Sequence, residues 1–338
     1  VSTKHSEKYS EPLLKWYQQQ KRSLPWRANR DPYRIWISEI MLQQTTVAAV
    51  VPYYERFMKR FPSVKVLAEA PLEDVLEQWS GLGYYSRARN LHKAAGLFAL
   101  QGFPRSYQQL EEFPGLGPYT ARAVASIAFD EKVGVLDGNV IRILCRVYGL
   151  DLEWWKPAAR KILQDYADGL AQVENPSDLN QAMMELGATV CTPQSPTCLL
   201  CPWNQFCLAR ENDQIELLPR KKPRRDFEIW HWRPIVVEVG GAFALIENDY
   251  APFLKKHLLW PGSVERLTQT PSQFAFRGGV THYDIFVSPQ RISVGSSARQ
   301  RAHSLPPPLK KASIQWVEGA DLKKRIPSSL IRKVLDHS

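Results

Sequence analysis

The 338-residue chain is 44% hydrophobic and 23% charged, the composition of an ordinary globular protein with room for two cored domains. No apolar run reaches the length of a membrane span, and the opening VSTKHSEKYSEP is polar and lacks a signal-peptide core, so a soluble intracellular protein is expected. A formal net charge of +10 and a pI near 9.3 suit a polyanionic partner, although a merely basic surface gives the same totals.

Residues 1–22 read as a polar arm followed by a short helix, Pro12–Gln20. Pro25 predicts an extended Leu24-Pro25-Trp26-Arg27 segment, and Asp31-Pro32 opens a helix with proline where its missing N–H costs nothing. That helix, predicted over Tyr33–Thr46, spreads Ile35, Trp36, Ile37, Ile40, Met41 and Leu42 around most of its circumference and should be largely buried. Glu39, Gln43 and Thr46 form one narrow polar strip, which either meets solvent or faces an internal pocket. In a pocket, Glu39 would be a partly desolvated carboxyl with a raised pKa, suited to general-acid work.

Further helices are predicted at Tyr53–Phe61, Leu72–Trp79 and Ser86–Leu100. The glycine-rich loop Gly81-Leu82-Gly83-Tyr84-Tyr85 lies between the last two; Tyr84 either packs on its own domain or wedges into a base stack. Helices at Tyr107–Glu112 and Tyr119–Phe129 flank a Pro114–Pro118 hairpin. Its Gly115 and Gly117 would let a phosphate approach the main-chain amides at a helix N-terminus. Asp137-Gly138-Asn139 precedes a helix over Val140–Tyr148. Either Asp137 or Asn139 can cap it, so Asp137 reads equally as a cap and as a reacting carboxylate.

Helices follow at 154–173 and Leu179–Val190, then Cys191, Cys198, Cys201 and Cys207. Four thiolates at this spacing can close around one metal centre, an iron–sulfur cluster or a structural zinc, whereas Cys145 in an apolar helix reads as a buried thiol. The connector PRKKPRRD at 219–226 marks a domain boundary. Beyond it, a hairpin is predicted over Ile235–Ile246 around Gly240-Gly241, with strands at Tyr283–Ser288, Ile292–Val294 and Ile314–Val317 and a closing helix at Ser328–Asp336. The basic stretch Ser296–Lys311, with Arg299, Arg301, Lys310 and Lys311, is either a solvated loop or a phosphate contact.

The segments LPWRANRDPYRIWISEIMLQQTTV, GLGYYSRARNLHKAA, FPGLGPYTARAVASIAF, LDGNVIRILCRVYG and NQAMMELGATVC, followed by the cysteine loop, run in order from about residue 24 to residue 207. Together they resemble the helix–hairpin–helix DNA glycosylase superfamily, specifically adenine DNA glycosylases of the MutY type. The resemblance implies a mainly α catalytic domain over 1–218 with a [4Fe-4S] cluster on the four cysteines, a linker over 219–233, and an α+β Nudix-like domain over 234–338. It implies excision of adenine opposite 8-oxoguanine or guanine in double-stranded DNA, by an expected monomer placed in the cytoplasm, or with the nucleoid in a bacterium. The glutamate-rich helix of Nudix hydrolases is missing, so pyrophosphate hydrolysis is not expected.

By the same resemblance, Glu39 would protonate adenine at N7 and ionised Asp137, favoured as the anion at a helix N-terminus, would stabilise or trap the sugar cation. Asn139 would orient that carboxylate, and Tyr119, standing where bifunctional relatives carry a lysine, would support the covalent step without efficient strand cleavage. Leu24, Trp26, Arg27, Val47 and Gln181 would form the adenine pocket, with Gln44 and Tyr84 as wedges. Gly115, Gly117 and Thr120 would meet the DNA backbone, and Thr281 and His282 would read 8-oxoguanine. Val280 stands where the family commonly has phenylalanine, and the cluster loop TPQSPT carries no basic residue. The rival expectations are a glycosylase for thymine opposite guanine and a non-catalytic DNA-binding iron–sulfur protein in which Asp137 only caps a helix.

Overall fold

In a computed structural model, residues 3–223, 226–293, 313–326 and 328–338 are described. The chain divides into two compact units, Val1–Lys222 and Pro223–Ser338. The first is helical and the second is built on a sheet. The basic stretch Ser296–Lys311 lies outside the described residues, as does Val294 at the end of one predicted strand.

The helical unit runs through α1 (Thr3–Gln20), α2 (Pro32–Leu42), α3 (Val47–Arg60), α4 (Val64–Glu69), α5 (Leu72–Gln78) and α6 (Tyr85–Gln101). It continues with α7 (Tyr107–Glu111), α8 (Pro118–Phe129), α9 (Gly138–Val147), α10 (Pro157–Leu170), α11 (Pro176–Thr189) and the single turn α12 (Leu208–Glu211). Two cores fill it. Helices α2 to α8 enclose Trp36, Met41, Phe57, Trp79 and Phe98, while α1 and α9 to α12 enclose Leu13, Tyr17, Ile143, Leu144, Leu163, Leu186 and Trp203.

Several predicted boundaries give way to tertiary contacts. The polar arm is not an arm: Tyr9, Leu13 and Tyr17, four residues apart, make one buried stripe, and packing it against the second core draws α1 back to Thr3 despite the interior Pro12. Pro25 opens a short 3-10 turn, Pro25–Arg27, rather than an extended segment, because proline fits the first position of a helical turn. Helix α2, capped by Asp31 accepting from Tyr33 N–H, stops at Leu42, so Thr46 leaves the predicted polar strip and becomes the residue before α3.

In the second unit, β1 (Glu228–Val239) is the axis. Its first half pairs antiparallel with β4 (Gly262–Leu267) and parallel with β6 (Tyr283–Val287). Its second half pairs antiparallel with β2 (Ala242–Glu247) and parallel with β7 (Gln290–Ser293). The strands β3 (Leu258–Leu259) and β8 (Ile314–Glu318) add to β2, and β5 (Phe276–Val280) adds antiparallel to β6. The change of partners falls at Pro234, which has no N–H to donate and lies opposite Gly262; a Cβ there would sit 2.2 Å from Arg233 O. Short α13 (Leu322–Arg325) and amphipathic α14 (Ser329–Asp336) follow, and Leu330, Ile331 and Val334 of α14 join the core around Trp232, Phe253 and Trp260.

Candidate active site

The site is assembled where the two helical cores of the first unit meet. Helix α8 is rich in small residues (Ala121, Ala123, Ala125, Ser126), which bring α2 and α11 close on either side of it. Asn180 of α11 then acts as a buried bracket. Its Nδ2 donates to Ser126 Oγ (2.7 Å) and Val133 O (2.9 Å), and its Oδ1 accepts from Val135 N–H (2.9 Å). The irregular segment before Asp137 is thereby fixed, and so is the point at which α9 begins.

Between these elements lies a cavity of about 280 Å³. The predicted catalytic and base-pocket residues Glu39, Asp137, Tyr119, Asn139, Leu24, Trp26, Arg27, Val47 and Gln181 all line it. Glu39 is 4% exposed, and its Oε2 accepts a 2.7 Å hydrogen bond from the Tyr119 hydroxyl. Burial raises its pKa to about 7, with a further push from Asp137, and the Tyr119 bond and the Arg27 charge offset only part of this. Tyr119 is held neutral by burial and by both carboxylates, and its hydroxyl oxygen lies 3.5 Å from Met184 Sδ. It therefore serves Glu39 directly. Its sequence position gave no hint of that partner.

Asp137 is the N-cap of α9. Its Oδ1 accepts from Val140 N–H (2.7 Å) and its Oδ2 from Asn139 Nδ2 (2.9 Å). Capping and facing the cavity are thus one arrangement rather than alternatives. The expectation that the helix terminus keeps this carboxyl low is corrected: burial outweighs the Val140, Asn139 and Arg142 contributions, and its pKa lies above the ordinary aspartate value. What distinguishes it from Glu39 is the donor set. Both of its oxygens receive N–H bonds suited to a carboxylate, whereas Glu39 receives one hydroxyl.

Asn139 is itself held. Its Oδ1 accepts from Arg142 Nη2 (2.8 Å), and Arg142 also donates to Gly187 O (2.8 Å) and, through Nε, to Cys191 O (2.7 Å). Gly187 has no room for a side chain, since a Cβ would come within 2.4 Å of Asn139 Cβ. One turn along α9, Arg146, 2% exposed, donates to Thr192 O (2.8 Å) and Cys191 Sγ (3.4 Å). Cys191, Cys198, Cys201 and Cys207 line one small apolar cavity. Among the described residues no three His, Cys, Asp or Glu side chains are grouped to hold a single metal ion. Burial, reinforced by the neighbouring cysteines, raises Cys201 to about 12 and pushes Cys207 up as well; a cation would relieve both effects.

Glu185 escaped the sequence reading, although it follows Gln181 by four residues on the same helix face. It is fully buried at the cavity wall, accepting from Arg22 Nε (2.5 Å), Arg22 Nη2 (3.0 Å) and Arg27 Nη2 (2.8 Å). Burial would raise its pKa, but the two arginines prevail and hold it below the ordinary glutamate value. Glu185→Gln is expected to cost about 2 kcal/mol in urea unfolding at pH 7, less than a fully buried pair because Arg22 is partly in solvent. Since the folded pKa is depressed, this contribution is present above the unfolded value near 4.5 and is lost as pH falls through the folded one.

The remaining predicted contacts fall into two groups. On the first unit, Gly115, Gly117, Gln44 and Tyr84 are exposed, Tyr84 at 60%. Gly115 needs glycine for its φ of +83°, but Gly117 has an ordinary φ and open space where a Cβ would stand. Thr120 departs from expectation. It is 1% exposed and its hydroxyl accepts from Gln43 Nε2 (3.1 Å), so only its main-chain N–H at the start of α8 remains for an external anion. On the second unit, Thr281 (φ +55°) and His282 turn the β5–β6 hairpin, with His282 against Tyr283 at 4.0 Å. Val280 packs against the core there.

Residues 37–170 match the family model of the HhH-GPD superfamily base excision DNA repair proteins. Mouse adenine DNA glycosylase is 46% identical over 64% of this chain and 44% of its own length, and the human protein is 46% identical over 61% and 40%. The chain thus matches about two fifths of the length of these mammalian relatives. A Buchnera aphidicola (subsp. Acyrthosiphon pisum) adenine DNA glycosylase is 38% identical over 75% of this chain and 73% of its own. Among solved structures, a thermostable thymine-DNA glycosylase is 27% identical with a TM-score of 0.56, covering 62% of this chain and 98% of that one. A non-covalent endonuclease III–DNA complex shares the fold at 22% identity and a TM-score of 0.50, over 63% of this chain and 99% of that one. With a buried acid, a doubly hydrogen-bonded carboxylate and a hairpin before α8 in the same unit, the chain belongs to the adenine DNA glycosylase family of the HhH-GPD superfamily.

Proposed function

We propose that this protein removes adenine mispaired with 8-oxoguanine, or with guanine, from duplex DNA by hydrolysing the N-glycosidic bond. The observation that carries this reading is the pairing, in one cavity, of Glu39, raised to about 7 under a tyrosine hydroxyl, with Asp137, whose two oxygens each accept an N–H. Adenine is a poor leaving group until it is protonated. Glu39 gives its proton to N7, the C1′–N9 bond breaks with its electron pair moving onto the base, and the sugar is left as an oxocarbenium-like cation. Asp137 stabilises that cation or bonds to C1′, until the oxygen of a water bonds to C1′ in place of the base, releasing Asp137 and giving up a proton that restores the acid form of Glu39. Asn139 holds Asp137 in line. Tyr119 holds Glu39 and offers no amine for a Schiff base, so the strand stays intact.

The target base leaves the stack to enter the cavity, where Leu24, Trp26, Val47 and Gln181 bound it and Arg27 supplies a cation. Gln44 and Tyr84 fill the gap in the duplex. The amides at Gly115, Gly117 and Thr120 take a phosphate, and the open space at Gly117 supports such an approach. The four cysteines line one small cavity and would hold a [4Fe-4S] cluster, which would brace the loop after α11. The second unit reads as a Nudix-like domain that recognises 8-oxoguanine through Thr281 and His282; its first strand β1 begins at Glu228, inside the 219–233 span expected as linker between 1–218 and 234–338. A second reading, excision of thymine opposite guanine, draws on the likeness to the thymine-DNA glycosylase.

The test is a panel of duplexes with adenine opposite 8-oxoguanine, adenine opposite guanine and thymine opposite guanine. Adenine opposite 8-oxoguanine is expected to react fastest and thymine opposite guanine not at all. Preferential release of thymine would replace the first reading with the second.

A further inference from the structure

One partly buried cation has no role in the site described above. Arg87, at the start of α6, places a single guanidinium between two loops. Its Nη1 donates to Ile40 O (2.9 Å), Met41 O (3.2 Å) and Gln43 O (2.6 Å) at the end of α2, and its Nη2 to Leu82 O (3.2 Å) and Gly83 O (3.2 Å). The guanidinium lies 5.6 Å from the Trp79 ring and 5.5 Å from the Tyr84 ring. Its Nε is buried without a partner, and among the described residues no carboxylate pairs with it. A partly desolvated arginine held by carbonyls, with its Nε buried and unpaired, is a costly way to cap a helix.

What it fastens explains the cost. The residues projecting from the two loops, Gln44 (φ +58°) and Tyr84 (φ +49°), are both exposed and both in the left-handed conformation that side chains other than glycine disfavour. Such a conformation persists only where the surroundings over-determine it. Arg87 binds the carbonyl just before Gln44 and the one just before Tyr84, and Gln43 continues the link to Thr120 at the hairpin helix.

We propose that Arg87 is a positioning residue that joins the Gln44 and Tyr84 loops into one rigid edge, so that both side chains enter the duplex together when the target base is expelled. The proposal rests on the glycosylase reading above. It predicts a defect in opening paired DNA rather than in the chemistry.

The experiment compares single-turnover adenine release from two duplexes. In one, adenine faces 8-oxoguanine between matched pairs; in the other, the flanking pairs are mismatched so that the adenine is already unstacked. For Arg87→Gln the ratio of the matched to the mismatched rate is expected to fall ~10–100-fold relative to wild type, an effect on base expulsion alone. Arg87→Lys is expected to behave like Arg87→Gln, because one ammonium cannot reach the carbonyls of both loops as a planar guanidinium does. 2-Aminopurine beside the target should lose its fluorescence rise on binding in both variants. Equal losses on the two duplexes, no loss on either, or full rescue by lysine would overturn the proposal. Inactivity of the wild type on both duplexes would instead refute the glycosylase reading.

Discussion

Asp137→Asn is expected to lower single-turnover adenine excision by at least ~10²–10³-fold, the usual loss when a preorganised charge that meets transition-state charge is removed. The substitution is mild in structure. The new carbonyl oxygen can still accept from Val140 N–H and cap α9, so the helix keeps its start. What is lost is the negative charge and the acceptor that faces Asn139 Nδ2, where two amide donors would now oppose each other. Asn139 cannot turn round to relieve this, because Arg142 already occupies its oxygen. Lesion binding, measured by electrophoretic shift on an adenine·8-oxoguanine duplex, should stay within about threefold of wild type, since the anion meets charge that develops only in the transition state. Retained turnover would remove Asp137 from the chemistry and leave it as a cap.

Glu39→Gln is expected to slow excision severely and to stabilise the fold at the same time. In the proposed role of proton donor Glu39 must be in its acid form, and a pKa of about 7 should make the wild-type rate fall as pH rises through that value. Glutamine has no proton to give, so the variant should lose ~10²–10⁴-fold in rate and lose the alkaline limb with it. The stability effect follows from the same shift. A carboxyl whose folded pKa is raised favours the folded state below its unfolded value, and that advantage is lost as pH rises through the folded value. With the carboxyl raised from an ordinary 4.5 to about 7, the folded wild type carries a penalty of about 3 kcal/mol at pH 8, which glutamine does not. The Tyr119 hydroxyl can still donate to the amide oxygen. Urea unfolding at pH 8 should therefore show Glu39→Gln as the more stable protein, with the difference vanishing near pH 4. A less stable variant at pH 8 would mean that Glu39 is held as a paired anion.

How much of this could be read from the residues follows from where each feature gets its support. Local signals served well at Asp31-Pro32, at the hairpin glycines and at Asp137-Gly138-Asn139, where the determinants of the turn lie within a few positions. They failed at the end of α2. Periodicity carried the helix to Thr46 and kept Glu39, Gln43 and Thr46 on one face. The chain instead breaks after Leu42, because Arg87, more than forty residues away, takes the terminal carbonyls. Glu185 was passed over for a related reason. Its ionic partners, Arg22 and Arg27, come from the other end of the unit, and nothing beside it in sequence marks it as buried. In the second unit, β4 and β5 escaped because GSVERL and FRGGV lack clear apolar alternation; both depend on register with β1 and β6.

The cysteine loop gives the opposite case. Its spacing announced a metal centre but could not choose between zinc and a cluster; the fold brings the four cysteines to the lining of one small cavity. Likewise, the sequence could name Asp137 as a cap or a reactant, whereas the geometry gives each of its oxygens its own N–H donor.

The most direct test of the central claim is a product balance. Wild-type protein is incubated in excess with a duplex containing adenine opposite 8-oxoguanine; free adenine is quantified by chromatography, and the strand is analysed before and after alkali. The two-carboxylate site predicts one free adenine for each abasic site, with the strand unbroken until alkali is added. No adenine release, or strand breaks before alkali in proportion to the adenine released, would contradict it.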